Sequence, residues 1–243
     1  MSDYARYSRQ VVLREVGVNG QSLLRDSTAL VIGLGGLGAP ASLYLAGAGL
    51  GQLLLSDRDH VERSNLQRQI VYRNADLGRS KLEAAADNLR ALNPECWIDS
   101  RPGPLDEAGL LAAVRAADVV LDCTDNFPAR FAINRACVAA RKPLVSGAAI
   151  RFEGQIAVFR PGGPCYACLF GEGGEAAETC EEAGILGPVV GVIGAMQALL
   201  ALKLLLGIGD DAGRLHLWDA ATLSWRSLKA ARDPHCRVCG THD

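Results

Sequence analysis

Thr28-Ala29-Leu30-Val31-Ile32-Gly33-Leu34-Gly35-Gly36-Leu37-Gly38 decides the fold class. Thr28 to Gly33 is an apolar run of strand length, and a glycine-rich turn follows at once. From Leu37 to Gly49 the residues are small and apolar, which suits a helix packed closely on a sheet. Gly33 to Gly38 therefore reads G-x-G-x-x-G between a strand and a helix. There the glycines let backbone approach a phosphate or ribose at a positive helix N-terminus. Gln52 to Ser56 is a second buried strand, and it ends at Asp57, where a carboxylate can hold ribose hydroxyls. The pattern says nucleotide. It does not separate NAD from ATP.

Outward from this unit, strands and helices alternate. Ser80 to Leu92 carries Leu82, Ala85, Leu89 and Leu92 at helical spacing, and Pro94 marks its end. Trp97 to Ser100 reads as a strand and Asp106 to Ala116 as a helix. Asp118 to Asp122 is a third buried strand. Asn126 then reads as an N-cap with Pro128 in the first turn of a helix running to about Arg141, and Pro143 to Ser146 begins the next strand. The alternation predicts an α/β, Rossmann-like fold: a mostly parallel sheet with helices on both faces. After Gly147 the character changes. Gly154 to Phe159, Leu215 to Trp218 and Leu223 to Ser227 read as strands that extend the sheet in antiparallel fashion, and acidic Glu172 to Glu182 reads as a mobile loop.

The composition narrows the function. The chain has 243 residues, 49% hydrophobic and 21% charged, with a net charge of −2, so a sizeable core is expected. No block is strongly basic, which argues against a nucleic-acid partner. Met1 to Gln10 is polar and lacks a signal-peptide pattern, so a cytoplasmic location is expected. Gly184 to Gly209 is apolar, yet Pro188, Gln197, Lys203 and several glycines interrupt it. A buried helix packed near a second subunit is expected there rather than a membrane span. Without an export signal, eight cysteines do not suggest a disulfide framework. Cys165-x-x-Cys168 and Cys236-x-x-Cys239 instead point to metal: two pairs complete a closed tetrahedral site, which suits structural zinc. Two independent redox or buried pairs are the competing reading.

The segment Asp57-Arg58-Asp59-His60-Val61-Glu62-Arg63-Ser64-Asn65-Leu66-Gln67-Arg68-Gln69 bears on the choice of nucleotide. A triphosphate needs cationic and amide donors near the reacting phosphorus and a carboxylate for magnesium. Asn65, Arg68, Gln69 and Lys81 could supply the donors and Asp125 the metal ligand. A hydride-transfer site has no need of such a set. Taken alone, the segment could equally be a solvated charged loop.

Arg6-Tyr7-Ser8-Arg9-Gln10, GLGGLG, SNLQRQ at 64–69, Lys81, DCTDN at 122–126, GAA at 147–149 with Gly154-Gln155, the first cysteine pair, EEAGILGPVVGVIGAMQA at 181–198 and the last cysteine pair occur in this order. In these stretches the chain resembles the ThiF/MoeB/HesA family of bacterial adenylyltransferases, relatives of the ubiquitin-activating enzymes, over essentially its whole length. The resemblance implies ATP-dependent adenylation of the C-terminal glycine carboxylate of a ubiquitin-like sulfur-carrier protein ending in Gly-Gly, in thiamin, molybdopterin or related biosynthesis. It implies that Gly36, Asp57, Ser64, Asn65, Leu66, Gln67, Arg68, Lys81, Asp125 and Asn126 bind ATP with Mg2+. Arg68, Lys81 and Asp125 would serve the reaction together with Arg9, which would reach the other subunit's site in a homodimer. It favours Zn2+ on Cys165, Cys168, Cys236 and Cys239. Residues 1–27 would form an N-terminal helical segment, 28–147 the nucleotide-binding part and 148–243 the carrier-binding and zinc part of one domain. A separate sulfur-donor protein is expected, since no rhodanese-like extension follows Asp243. Cys180 could form a later covalent link to the carrier, but Glu178, Glu181 and Glu182 nearby would oppose its thiolate. Two alternatives stand beside this reading: an NAD-dependent oxidoreductase, and a non-catalytic zinc-containing scaffold that binds a carrier.

Overall fold

The computed structural model describes residues 4–171 and 183–240. The expected mobile loop at 172–182, with Cys180, lies outside them. Among the described residues eight strands form one sheet in the order β3-β2-β1-β4-β5-β6-β7-β8. Strands β1 (Thr28–Ile32), β2 (Gln52–Asp57), β3 (Trp97–Pro102), β4 (Val119–Asp122) and β5 (Leu144–Ile150) run parallel. Strands β6 (Glu153–Phe159), β7 (Arg214–Asp219) and β8 (Ser224–Lys229) add on antiparallel to β5 and to one another. The sheet is continuous through residue 147, because β5 spans it.

Both faces of the parallel part are covered, which explains why its strands read as unbroken apolar runs. Leu30, Leu54, Val120 and Leu144 point to one face and meet Leu110, Val114 and Ile133 from α5 (Glu107–Ala116) and α6 (Phe127–Ala140). Val31, Leu53, Leu55, Leu121 and Val145 point to the other. There they meet α3 (Gly38–Gly47), α4 (Lys81–Leu92) and α8 (Gly187–Leu206) through Leu45, Ala85, Leu89 and Ile193. Two short helices, α1 (Ser8–Val11) and α2 (Gly17–Arg25), precede β1, and α7 (Tyr166–Phe170) follows β6.

Helix α8 is long and apolar enough to cross a membrane by length and composition, yet 44% of its most apolar window is buried in the protein. It packs on α3, β5 and β6. Gln197, the polar residue in its middle, is 0% exposed and donates to the carbonyls of Asp122 at 2.7 Å and Val145 at 3.3 Å. That amide bridges the last residue of β4 and the second residue of β5, a task an aliphatic residue cannot perform.

Candidate functional site

The strand order reverses between β1 and β4, and the crevice at their carboxyl ends is where such sheets bind ligands. The loop after β1 and the turn after β4 flank it. Gly33 has φ +88°, and a side chain there would meet the Cys123 carbonyl at 2.8 Å. The two turns thus pack backbone to backbone. A Cβ on Gly36 would lie 2.8 Å from the Val190 side chain, so the loop also touches α8. Tyr72 pins the loop from beneath, its hydroxyl donating to the Leu34 carbonyl at 2.9 Å.

Asp57 ends β2 as expected. Its carboxylate accepts from the Leu34 N–H at 2.6 Å and the Asp59 N–H at 2.8 Å, which fixes it beside the glycine loop. A carboxylate has about four acceptor positions, so two remain for ribose hydroxyls.

A cavity of about 1430 Å³ opens over these turns. Gly36, Asp57, Asn65, Arg68, Lys81, Asp125 and Asn126 all line it, with Gln69 and Arg130. Ser64, Leu66 and Gln67 do not: the Ser64 carbonyl accepts from Arg68 Nη1 at 3.0 Å, and Leu66 packs against the main core. The reason is helical phase. A 3₁₀ turn over Arg63–Asn65 sets the local winding, and residues 65, 68 and 69 share one side of it. Asn65 and Gln69 are buried, and Gln69 Oε1 has no hydrogen-bond partner among the described residues. An orphaned buried acceptor costs about 1–3 kcal/mol, a cost that a ligand donor would remove.

Lys81 is the first residue of α4 and is 6% exposed. Its ammonium meets Asp59 at 3.1 Å. Asp125 and Asn126 are exposed to the cavity, and Asn126 caps α6 by accepting the Ala129 N–H at 3.0 Å. Arg9 is exposed and does not line this cavity. The segment that carries it is held elsewhere, by Tyr7 Oη donating to Glu95 at 2.9 Å and by Gln10 donating to the Ala48 carbonyl at 3.0 Å.

The sequence reading missed residues that shape the same space. Trp218, Ser224 and Arg226 of β7 and β8 line the cavity, so it runs from the glycine loop onto the antiparallel strands. Asp122, Thr124 and Arg130 form a buried cluster beneath the Asp125 turn. Asp122 and Thr124 lie in the matched DCTDN stretch but drew no role there, and Arg130 lies outside every matched stretch, since the meaning of all three depends on burial.

The four paired cysteines converge beside the middle of α6, near Phe131, Asn134 and Val138, with all sulfurs within 4.8 Å of one another. Cys165 lies 3.9 Å from Cys168 and 3.7 Å from Cys236, and Cys168 lies 3.4 Å from Cys239. Tetrahedral thiolates on zinc, with Zn–S near 2.3 Å, stand about 3.8 Å apart, so the set fits that ion. Asn134 of α6 holds the knuckle, accepting the Tyr166 N–H at 2.9 Å and donating to Cys165 Sγ at 3.5 Å.

A Rossmann-like sheet with a cluster of amides and cations over its switch point defines a nucleotide-phosphate enzyme. Comparison with known proteins makes this specific. The ThiF family pattern matches residues 7–238, and the chain belongs to that family. It is 50% identical to the molybdopterin-synthase adenylyltransferase of Escherichia coli K12, over 97% of this chain and 96% of that one. It is 48% identical to the sulfur carrier protein ThiS adenylyltransferase of the same organism, over 98% and 96%. Among solved structures, E. coli MccB with ATP superposes with a TM-score of 0.84 at 25% identity, covering 97% of this chain and 75% of that chain. The chain is an adenylyltransferase, and the oxidoreductase and scaffold alternatives are set aside.

Proposed function

We propose that this enzyme uses ATP and Mg2+ to adenylate the C-terminal glycine carboxylate of a ubiquitin-like sulfur carrier ending in Gly-Gly, a ThiS- or MoaD-like protein, in the cytoplasm. One observation carries the reading: a single cavity joins the donor set Asn65, Arg68 and Lys81 to the open face of β7 and β8. A nucleotide can lie over the glycine loop while a flexible tail enters along the antiparallel strands of the 148–243 part. The relatives' names supply the carrier class, for thiamin, molybdopterin or related sulfur incorporation.

The chemistry follows from charge. The carrier carboxylate attacks the α-phosphorus and pyrophosphate leaves, giving an acyl-adenylate. Both reactants are anionic, so the enzyme's work is to position them and offset negative charge. Asn65, Arg68 and Lys81 donate to the phosphates, and Gly36 lets backbone approach them. Asp57 orients the ribose. Asp125, beside Asn126, would hold the magnesium, which neutralises charge on the leaving pyrophosphate when bound. No enzyme nucleophile is needed for this step, so a covalent role for Cys180 would fall in a later one.

The four cysteines would hold a structural zinc in a closed site. A homodimer accounts for two further features. Arg9 sits outside its own subunit's cavity lining and can serve the other. Val12, Leu13 and Val18 of the N-terminal segment, Tyr44 of α3 and Leu199 of α8 are each at least half exposed, apolar surface that a second subunit would cover. Sulfur would come from a separate donor protein.

Pyrophosphate exchange with candidate carriers tests the reading. A carrier ending in Gly-Gly should support exchange, and the same carrier lacking its last glycine should not. Exchange indifferent to that residue would overturn the assignment of the acceptor.

A further inference from the structure

Thr124 has no free polar group. Its N–H and its hydroxyl both donate to Asp122 Oδ1, at 3.0 and 2.7 Å. Its carbonyl accepts from Arg130 Nη2 at 3.0 Å. Asp122 is 0% exposed and also accepts from Ser146 at 3.2 Å. Arg130 is 9% exposed, with its guanidinium over the Phe127 ring at 5.7 Å. Burial pushes the Asp122 carboxyl above its ordinary value, and the nearby Arg130 opposes this.

Burying a carboxylate and a guanidinium together is costly, and well-packed apolar residues would serve stability as well or better. Capping does not explain the pair, because Asn126 already caps α6. What the pair does fix is the turn itself. With Thr124 held at its N–H, hydroxyl and carbonyl, the direction in which the chain leaves toward Asp125 is set.

We propose that Arg130, working with Asp122, is a positioning residue for adenylation: it holds the Thr124 carbonyl and thereby aims the Asp125 carboxylate at the metal-bound phosphates. The proposal rests on the reading of Asp125 as the magnesium residue. The bond the proposal requires of Arg130 is the one to the Thr124 carbonyl; its Nε has no partner among the described residues, and its charge also acts on Asp122 and Tyr166. A lysine can make one such bond, whereas methionine keeps bulk and loses it.

The test is a magnesium titration of carrier-dependent pyrophosphate exchange, with thermal unfolding measured on the same full-length chains. Arg130→Met should raise the magnesium concentration for half-maximal exchange by about tenfold or more, and Arg130→Lys should return it to within about threefold of wild type, as expected for a residue that orients a metal ligand. Thr124→Val, which removes only the hydroxyl bond to Asp122, should shift the midpoint the same way by less. It serves if Arg130→Met does not fold. A merely structural Arg130 would lower the melting temperature and the active fraction with no change in midpoint, and that result overturns the proposal. Asp125→Ala separates the two claims. If it leaves the midpoint unchanged, the magnesium reading falls and this inference with it. If it shifts the midpoint while Arg130→Met and Thr124→Val do not, this inference alone falls.

Discussion

Lys81 stands where the fold gains least from a cation. It opens α4, and a helix N-terminus disfavours positive charge by about 0.3–1 kcal/mol. Its partner Asp59 has a side chain that is 56% exposed, so the ion pair is half hydrated and contributes at most about 1 kcal/mol. The two effects nearly cancel. Lys81→Met keeps the buried alkyl stem and removes only the charge. It should therefore change stability by less than about 1 kcal/mol, or less than about 4 °C in melting temperature for a chain of this size. Its effect on catalysis is expected to be of another order. Losing one preorganised charge-stabilising donor costs about 100-fold or more in rate, close to 3 kcal/mol. Carrier-dependent pyrophosphate exchange and thermal unfolding on the same preparation measure both. Exchange within about threefold of wild type would refute the role, since that is under 1 kcal/mol of transition-state stabilisation. Lost exchange with a melting temperature lowered by more than about 10 °C would instead show that Lys81 supports the fold.

Other expectations follow from separate parts of the molecule. Wild-type protein should carry about one tightly bound zinc per chain with all-sulfur coordination, and Cys236→Ser should lower zinc content and melting temperature; a zinc-free, folded and active wild-type preparation, shown by elemental analysis, would sink the zinc site. If Arg9 serves the neighbouring subunit, mixing Arg9→Ala and Lys81→Ala chains should restore activity, since about half of randomly mixed dimers then hold one intact site; no recovery despite demonstrated exchange would confine Arg9 to its own subunit or to no role. Burial alone would raise the Asp76 carboxyl, but the Arg73 N–H and the Asn88 and Arg79 side chains outweigh it, and the group lies below its ordinary value. Its stabilisation is then full above about pH 4 and is lost as pH falls through the lowered value. Asp76→Asn should cost about 2 kcal/mol near neutrality, and the gap from wild type should close in acid; a gap independent of pH would refute the charged-group account.

The nucleotide half of the fold was legible because its signals are local. A strand, a glycine turn and a helix follow one another within Thr28–Gly47, and the buried strands carry apolar runs that only a doubly covered sheet requires. The cysteine pairs were legible because their spacing states a ligand geometry before any fold is known. Arg130 was not legible. It lies in a helix whose other residues read as ordinary, and it acts on a carbonyl six residues earlier that sequence cannot place beneath a cavity. The anchoring of the N-terminus was hidden for another reason: Tyr7 bonds Glu95 and Asn93, far along the chain, and no pattern links such partners. Ser64, Leu66 and Gln67 entered the expected set because they sit within a matched stretch. A contiguous match does not reveal which side of a turn lines the cavity.

On the proposed reading, what suits this sheet to phosphate chemistry and not to hydride transfer is the connection between β2 and α4. Such βα loops usually take roughly two to six residues. This one runs from Arg58 to Ser80, and its charge content alone would suit a solvated loop. It is built otherwise. Val61, Val71 and Tyr72 are buried in the main core. Val61 exchanges backbone bonds with Arg79 and Gly78, each at 2.9 Å, which ties the two ends of the connection together. Asp76 fastens the interior through the Arg73 N–H, Asn88 and Arg79. Lys81 closes the segment, its N–H donating to the Asp59 carbonyl. Asn65, Arg68 and Gln69 therefore project from a platform anchored in the main core and not from a flexible strap. Donors that must meet several negative charges in one geometry gain most when they need no reorganisation. On that argument Asp76, which lies outside the cavity lining, should matter to catalysis through the rigidity of this platform, so exchange by Asp76→Asn should fall more steeply with temperature than its folded fraction does.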